Sequence, residues 1–385
     1  MQSTFPSSPP RRAVAAASFI CFGLLPLLAV ALVVADLVSG GAGWAFREAF
    51  SGAAEALRHG DELYPALDDP ALAHGVAYVY PPLLAVLSVP LASLPGEGGV
   101  VVFAAVLIAA VFGTLAVLGV RDWRCYGIAF AWPPVLSAIH VENVTILLGL
   151  AAALTWRFRD RPVVGGVALG VSFVVKPLLW PLALWLAVTR RRGAVVWCVI
   201  SALALGLASW ALIAFDGLVS YPALLRRLGE LMDEWGYSVY ALALDAGAGE
   251  GAARVVWLVS AGALVCAVVL VARRGDERRA FGLAVVASIA CSPVVWMHYF
   301  ALLLVVVAVL QPRLGPAWFV PLLMFGGEEI GNGAAAQTAL VLGAAALTVL
   351  LALRPGSLQR VPRLAATPAS GPGWPATWRR TARSR

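Results

Sequence analysis

Charge is what this sequence lacks most. Only 13% of its 385 residues are charged and 61% are hydrophobic, giving a mean hydropathy of +0.86. A soluble domain carries about 25% charged and about 45–50% apolar residues, so a water-soluble enzyme of this composition is excluded. Lysine is all but missing: of 28 basic residues, every one but Lys176 is arginine. The five cysteines (Cys21, Cys125, Cys198, Cys266 and Cys291) sit singly in or beside apolar stretches. None has metal-ligand spacing or an obvious disulfide partner, so they read as core fillers, and no metal site is expected. A P-loop is also missing, and no polar segment exceeds about 45 residues. A soluble nucleotide-sugar or ATPase domain needs roughly 100 or more. The chain therefore works at or in a membrane, without a cofactor and without hydrolysing nucleotide itself.

Apolar sequence is what it has instead. Residues 13–38 follow Arg11 and Arg12 and are too long for a signal-peptide core, so they read as a retained first helix with its N-terminus inside. Later spans fall at 98–120, 194–215, 253–272 and 335–354, with shorter apolar pieces at 82–95, 127–139, 143–156, 163–175, 177–188, 280–291, 295–311 and 316–326. Pieces of about 12–15 residues cannot cross about 30 Å at 1.5 Å per residue. They read as broken helices, interrupted at Trp132-Pro133-Pro134, Lys176-Pro177 and Ser292-Pro293, and irregular backbone at membrane depth implies a cavity. The expected fold is an all-α integral membrane bundle of roughly nine to twelve helices. It divides into a cytoplasmic N-terminus (1–12), a transmembrane domain (13–354) and a basic, disordered cytoplasmic tail (355–385).

Orientation follows from counting. Placing 11–12, 157–161, 190–192, 273–279, 313 and 354–385 inside puts 20 of 27 Arg there, with three acids. The outer segments 39–80, 216–252 and 326–334 then hold 14 of 21 acids and four Arg, as the positive-inside rule requires. The net charge of +7 is matched by the seven Arg of residues 354–385. That tail suits anionic lipid, and nucleic acid is not an expected partner. Arginine in place of lysine, with abundant Ala, Gly and Val, suits a GC-rich bacterial genome, hence a multi-pass protein of a bacterial plasma membrane.

Lys176 is the sharpest candidate. An ionisable side chain inside an apolar run costs about 2.5–3.5 kcal/mol on insertion scales and marks a functional site, unless it snorkels to an interface. Its natural work beside a lipid-facing cavity is to hold a phosphate. His298, in Trp296-Met297-His298-Tyr299 after the Ser-Pro break, can donate to a phosphate or shuttle a proton, or pack as a satisfied imidazole. Glu142 and Asn143, after His140-Val141, line a cavity or form a solvated turn. In residues 44–57, Phe46, Phe50, Ala53, Ala54 and Leu57 share one face, while Arg47, Glu48, Ser51, Glu55 and Arg58 fall mostly elsewhere. That pattern predicts an amphipathic helix on the outer membrane surface, with Arg47 near a headgroup phosphate. Tyr78-Val79-Tyr80-Pro81-Pro82 reads as an interfacial aromatic anchor.

Taken in order, these motifs resemble a known family. Ala45-Phe46-Arg47, Ala53-Ala54-Glu55-Ala56-Leu57, Gly60, Leu63-Tyr64-Pro65 and Tyr78-Val79-Tyr80-Pro81-Pro82-Leu83 are similar to the first loop of glycosyltransferase family 87 (DUF2029). Asn143-Val144-Thr145, Trp156-Arg157, Val175-Lys176-Pro177 and Ser292 through Tyr299 resemble its later segments. The family comprises the polyprenyl-phosphate-mannose-dependent α-mannosyltransferases of actinobacteria. The resemblance implies a GT-C-like fold, an outer-facing active site, a polyprenyl-phosphate sugar as donor substrate, and a glycolipid or polysaccharide acceptor. It implies donor-phosphate binding by Lys176, His298 and Arg47, in a cavity lined by Asn143, Glu142, Tyr80, Trp296 and Tyr299. The family usually has an acid, the expected general base, where this chain has Ala45. The resemblance then passes that role to Glu48, to Asp36 or to Asp61. Otherwise the chain is a silent lipid-binding relative or, given its broken helices, a polyprenyl-lipid transporter.

Overall fold

The computed structural model describes residues 11–232, 236–328 and 334–354. The expected tail at 355–385 and most of the expected cytoplasmic N-terminus lie outside the described residues. Among the described residues every regular element is helical and no strand forms. Lipid imposes this, because backbone donors and acceptors there must be satisfied within each segment.

The first span, Arg12–Ser39, runs 28 residues. It joins α1 (Arg11–Phe19) to α2 (Leu25–Ser39) through a wide turn at Ile20–Leu24. A second wide turn, Ala45–Phe50, leads into α3 (Ser51–His59). The short α4 (Pro70–Ala73) precedes α5 (Pro82–Ala92) and the long α6 (Gly98–Val117). Then come α7 (Trp123–Ala131), α8 (Pro133–His140), α9 (Thr145–Arg157), α10 (Pro162–Val175), α11 (Trp180–Val188) and α12 (Arg192–Ala211). Two shorter helices, α13 (Tyr221–Met232) and α14 (Val239–Asp245), lead into α15 (Glu250–Arg273) and α16 (Glu277–Ala290). A tight turn at Met297–Leu302 runs into α17 (Leu303–Leu310), and α18 (Ala335–Ala352) follows Pro316–Gly326.

Among the described residues five helices have the length and hydropathy of a crossing: Arg12–Ser39, α6, α12, α15 and α18. Two pairs pass the same test together but are sharply bent, α8 with α9 by 120° and α10 with Pro177–Val188 by 119°. Adding α5, Met297–Leu310 and Pro316–Gly326 brings the apolar units into the expected range of nine to twelve. No more than seven of them have the length to cross. The expected breaks are present. Trp132 and Lys176 each precede a proline and are extended, with ψ of 126° and 114°, because proline crowds a helical residue before it. A further bend falls between α8 and α9, where no proline intervenes.

Every residue of Met297–Leu310 is buried, so this segment is the axis of the bundle. The first span leaves Leu27, Leu28 and Leu32 exposed, as a lipid-facing helix should. The apolar face of residues 45–54 is buried too: Phe46 stacks on Phe103 of α6 at 5.3 Å, and Phe50 meets Tyr80 at 5.3 Å. The amphipathic segment thus packs its apolar face on protein, where a resting place on lipid was expected. Close approach of α10 to α12 depends on Gly166 and Gly170, since a Cβ at either would collide with the Ala194 or Cys198 carbonyl. The turns expected inside gather at one end, where Arg191 bridges Asp160 and Glu277. The first loop, the α8–α9 bend, Lys176 and residues 291–297 gather at the other.

Candidate functional site

Lys176 stands at the break between α10 and α11. Its backbone N–H still closes α10 on Ser172, while Pro177 forces the chain to turn, so the side chain leaves from the bend itself. Nζ lies 4.0 Å from the centre of the Tyr299 ring and 5.4 Å from that of Tyr80. No carboxylate pairs with it among the described residues. Aromatic faces attract a cation through their quadrupole, by up to about 2 kcal/mol when water is excluded. They leave its charge uncancelled, which suits an anionic ligand.

The tyrosines are held firmly. Tyr80 accepts a hydrogen bond from the Asn143 amide at 3.2 Å, and Asn143 Oδ1 in turn accepts from the Thr145 N–H and hydroxyl. Tyr64 donates to the Tyr80 carbonyl and Tyr221 to the Val79 carbonyl, both at 3.0 Å. Tyr78 is buried; its hydroxyl donates to Pro81 O and accepts from Ala85 N–H. Burial pushes its phenol well above the ordinary value and keeps it protonated. The tyrosine-proline cluster, expected as a lipid-interface anchor, is therefore a loop brace. Tyr299 is followed inward by His298, fully buried, with ring centres 5.0 Å apart, and His298 meets Trp296 at 5.6 Å. Trp44 of the first loop closes on Trp296 at 5.9 Å.

The structure thus brings Lys176, Tyr80, Asn143, Tyr299, His298 and Trp296 into one cluster. Other candidates lie apart from it. Arg47 has each guanidinium nitrogen engaged: Nε donates to Ala42 O at 2.8 Å, Nη2 to Leu37 O, and Nη1 pairs with Glu97. Asp36 bonds His140 Nε2 at 2.8 Å. Glu48 is exposed while Ala45 is buried. The wide turn explains this. Ser51 N–H reaches back five residues to Phe46 O, so each residue advances less than the roughly 100° of an α-helix. Positions three apart no longer share a face there. Asp61 is exposed as well. Glu142 is fully buried on the same bend as Asn143, with its carboxylate against Gly43 of the first loop. Trp44, Phe50 and Tyr64 were not singled out from sequence as parts of the site, although each is an aromatic in a loop flanking it. Among the described residues no three His, Cys, Asp or Glu side chains gather to hold a metal ion.

Helices throughout the described residues, five of them of membrane-spanning length, define a polytopic membrane protein. A family model of glycosyltransferase family 87 matches residues 78–297, more than half of the chain, and the chain belongs to that family. The matched region takes in Tyr80, Glu142, Asn143, Lys176 and Trp296; Asp36, Arg47 and Glu48 precede it, and His298 and Tyr299 follow it. Neither a curated protein nor a solved structure matches the chain.

Proposed function

We propose that this membrane glycosyltransferase takes a sugar, mannose, from a polyprenyl-phosphate donor. The acceptor is a glycolipid or glycan of the envelope, at the outer face of a bacterial plasma membrane. The observation that carries the reading is Lys176, an ammonium at a bend in a helix pair, faced by two tyrosine rings and paired with no carboxylate among the described residues. A phosphate supplies the missing counter-charge, and in a site poor in water that attraction is strong. The acceptor hydroxyl attacks the anomeric carbon, the bond from that carbon to the phosphate oxygen breaks, and the phosphate leaves with the electron pair. Lys176 stabilises the departing phosphate, with His298 beside it across Tyr299, and a carboxylate takes the hydroxyl proton. Direct displacement inverts the anomeric carbon. Arg47, with each of its three nitrogens engaged, holds the first loop to α2 and to Glu97.

The test is transfer from labelled polyprenyl-phosphate-mannose by purified protein in lipid, with membrane extract supplying acceptors. Wild type should transfer, and K176M should fall by at least about 100-fold. A wild type that neither binds nor consumes the lipid-linked sugar would end this reading. A second reading, a silent lipid-binding relative, draws on the buried methyl of Ala45 at the first-loop position. Donor binding without turnover would favour it.

A further inference from the structure

Glu142 is fully buried. Among the described residues no side chain hydrogen-bonds its carboxylate, which has only the backbone N–H of Ala104 near it. The charged groups that act on it, Arg47 and Glu97, are paired with each other. Its backbone is strained as well, at φ 59° in the left-handed region. The end of α8 shows how this arises. Asn143 N–H bonds Ala138 O at 2.9 Å and Glu142 N–H bonds Ile139 O at 3.1 Å. These two bonds form the helix-ending motif whose left-handed position is usually glycine, and here that position is residue 142. A side chain there is disfavoured, and burying its carboxylate unpaired adds a second penalty. Penalties of this kind persist where they serve function.

The surroundings suggest which function. Gly43 N–H bonds His140 O at 2.8 Å and Ala45 N–H bonds Val141 O at 3.2 Å, so the bend is stitched to the first loop. Glu142 packs its carboxylate against Gly43, two residues before Ala45. Its neighbour Asn143 reaches Tyr80, one of the two rings facing Lys176. A single bend therefore carries a buried carboxylate and, one residue on, braces the holder of the cation. Asp36 is engaged with His140, and Glu48 faces away from the buried side of its turn. The backbone against the Glu142 carboxylate is that of Gly43, where a Cβ would crowd it.

We propose that Glu142 is the catalytic carboxylate that takes the proton of the acceptor hydroxyl. The assignment rests on the glycosyltransferase reading above. The hydroxyl O–H bond breaks and its proton passes to a Glu142 oxygen. The hydroxyl oxygen forms the new bond to the anomeric carbon, and the phosphate departs with the electron pair of the broken C–O bond.

The test uses full-length wild type, E142Q and E142G in lipid, measuring binding of labelled polyprenyl phosphate, transfer from polyprenyl-phosphate-mannose, and unfolding temperature. Both variants should bind the lipid phosphate within about twofold of wild type and lose transfer by at least about 100-fold. E142G, freed of strain and of the buried polar group, should unfold at a higher temperature than wild type. E142Q transferring within about threefold of wild type would overturn the assignment, since a proton acceptor contributes about 100-fold or more. Loss of lipid binding together with transfer in both variants would overturn it in favour of a structural role. So would E48Q losing transfer where E142Q keeps it. Wild type that binds the lipid phosphate but transfers nothing overturns the glycosyltransferase reading itself, a pattern distinct from these.

Discussion

The two ends of the bundle treat charge in opposite ways. At the arginine-rich end, Arg191 is shared between Asp160 and Glu277 at 2.9–3.2 Å. Arg159 lies over the Trp156 ring at 4.2 Å, and Arg124 pairs with Asp122 at 2.9 Å. At the other end, among the described residues, Lys176 faces two tyrosine rings and no carboxylate, and no side chain hydrogen-bonds the Glu142 carboxylate. Paired charges anchor turns and hold helices together. Charges without a counter-charge cost stability, which makes Lys176 and Glu142 the first candidates for binding and transfer.

Substitutions at the two ends should therefore separate activity from stability. The largest effect is expected from K176M: transfer falls by at least about 100-fold, while the unfolding temperature holds or rises, because an uncompensated charge leaves an apolar setting. Loss of stability in this variant would erase the contrast. R191M should do the reverse. Removing the shared guanidinium should cost about 1–2 kcal/mol, less than for a buried pair because Asp160 is 71% exposed. Transfer per folded molecule should stay within about twofold, since no substrate contact is touched. Both numbers come from denaturation and rate measurements on the same preparation.

Smaller effects sharpen the comparison. Y80F keeps the ring facing Lys176 and removes the oxygen that accepts from Asn143, so about 0.5–1.5 kcal/mol is at stake. Transfer should drop about threefold to tenfold, with polyprenyl-phosphate binding little changed. The smallest effect is a pH dependence at the arginine-rich end. The Arg124 guanidinium holds the Asp122 carboxyl below its ordinary value of 3.8. Stability from this pair is fully present above that ordinary value and is lost as pH falls through the lowered one. Unfolding temperature followed from pH 6 downward should show a step in wild type that D122N lacks.

Much of the fold was legible because lipid and proline write plainly. The spans at 13–38, 98–120, 194–215, 253–272 and 335–354 each overlap one of the five long helices, and the Pro-marked breaks at Trp132 and Lys176 are there. Lys176 stood out because a lone ammonium in an apolar run has few purposes. The amphipathic segment misled for a simple reason: an apolar face packed on Phe103 and Tyr80 has the same residue pattern as one resting on lipid. Glu48 looked like a neighbour of Ala45 because α-helical spacing was assumed. Nothing in Ala45–Phe50 announces a wider turn, and that turn sets the two residues on different faces. Arg47 looked available because its carbonyl partners Leu37 and Ala42 are backbone groups, which composition does not reveal. Glu142 was readable as a cavity residue or a solvated turn, and neither suggests an unpaired carboxylate at the left-handed end of a helix.

The central claim is that the unpaired cation at Lys176 receives the donor phosphate. Its most direct test is binding of labelled polyprenyl phosphate to wild type and K176M in lipid nanodiscs, with the uncharged polyprenol as competitor. The claim requires K176M to bind at least about tenfold more weakly and requires polyprenol to compete poorly against wild type. Equal binding by the two proteins, or full competition by polyprenol, would place the phosphate elsewhere and contradict it.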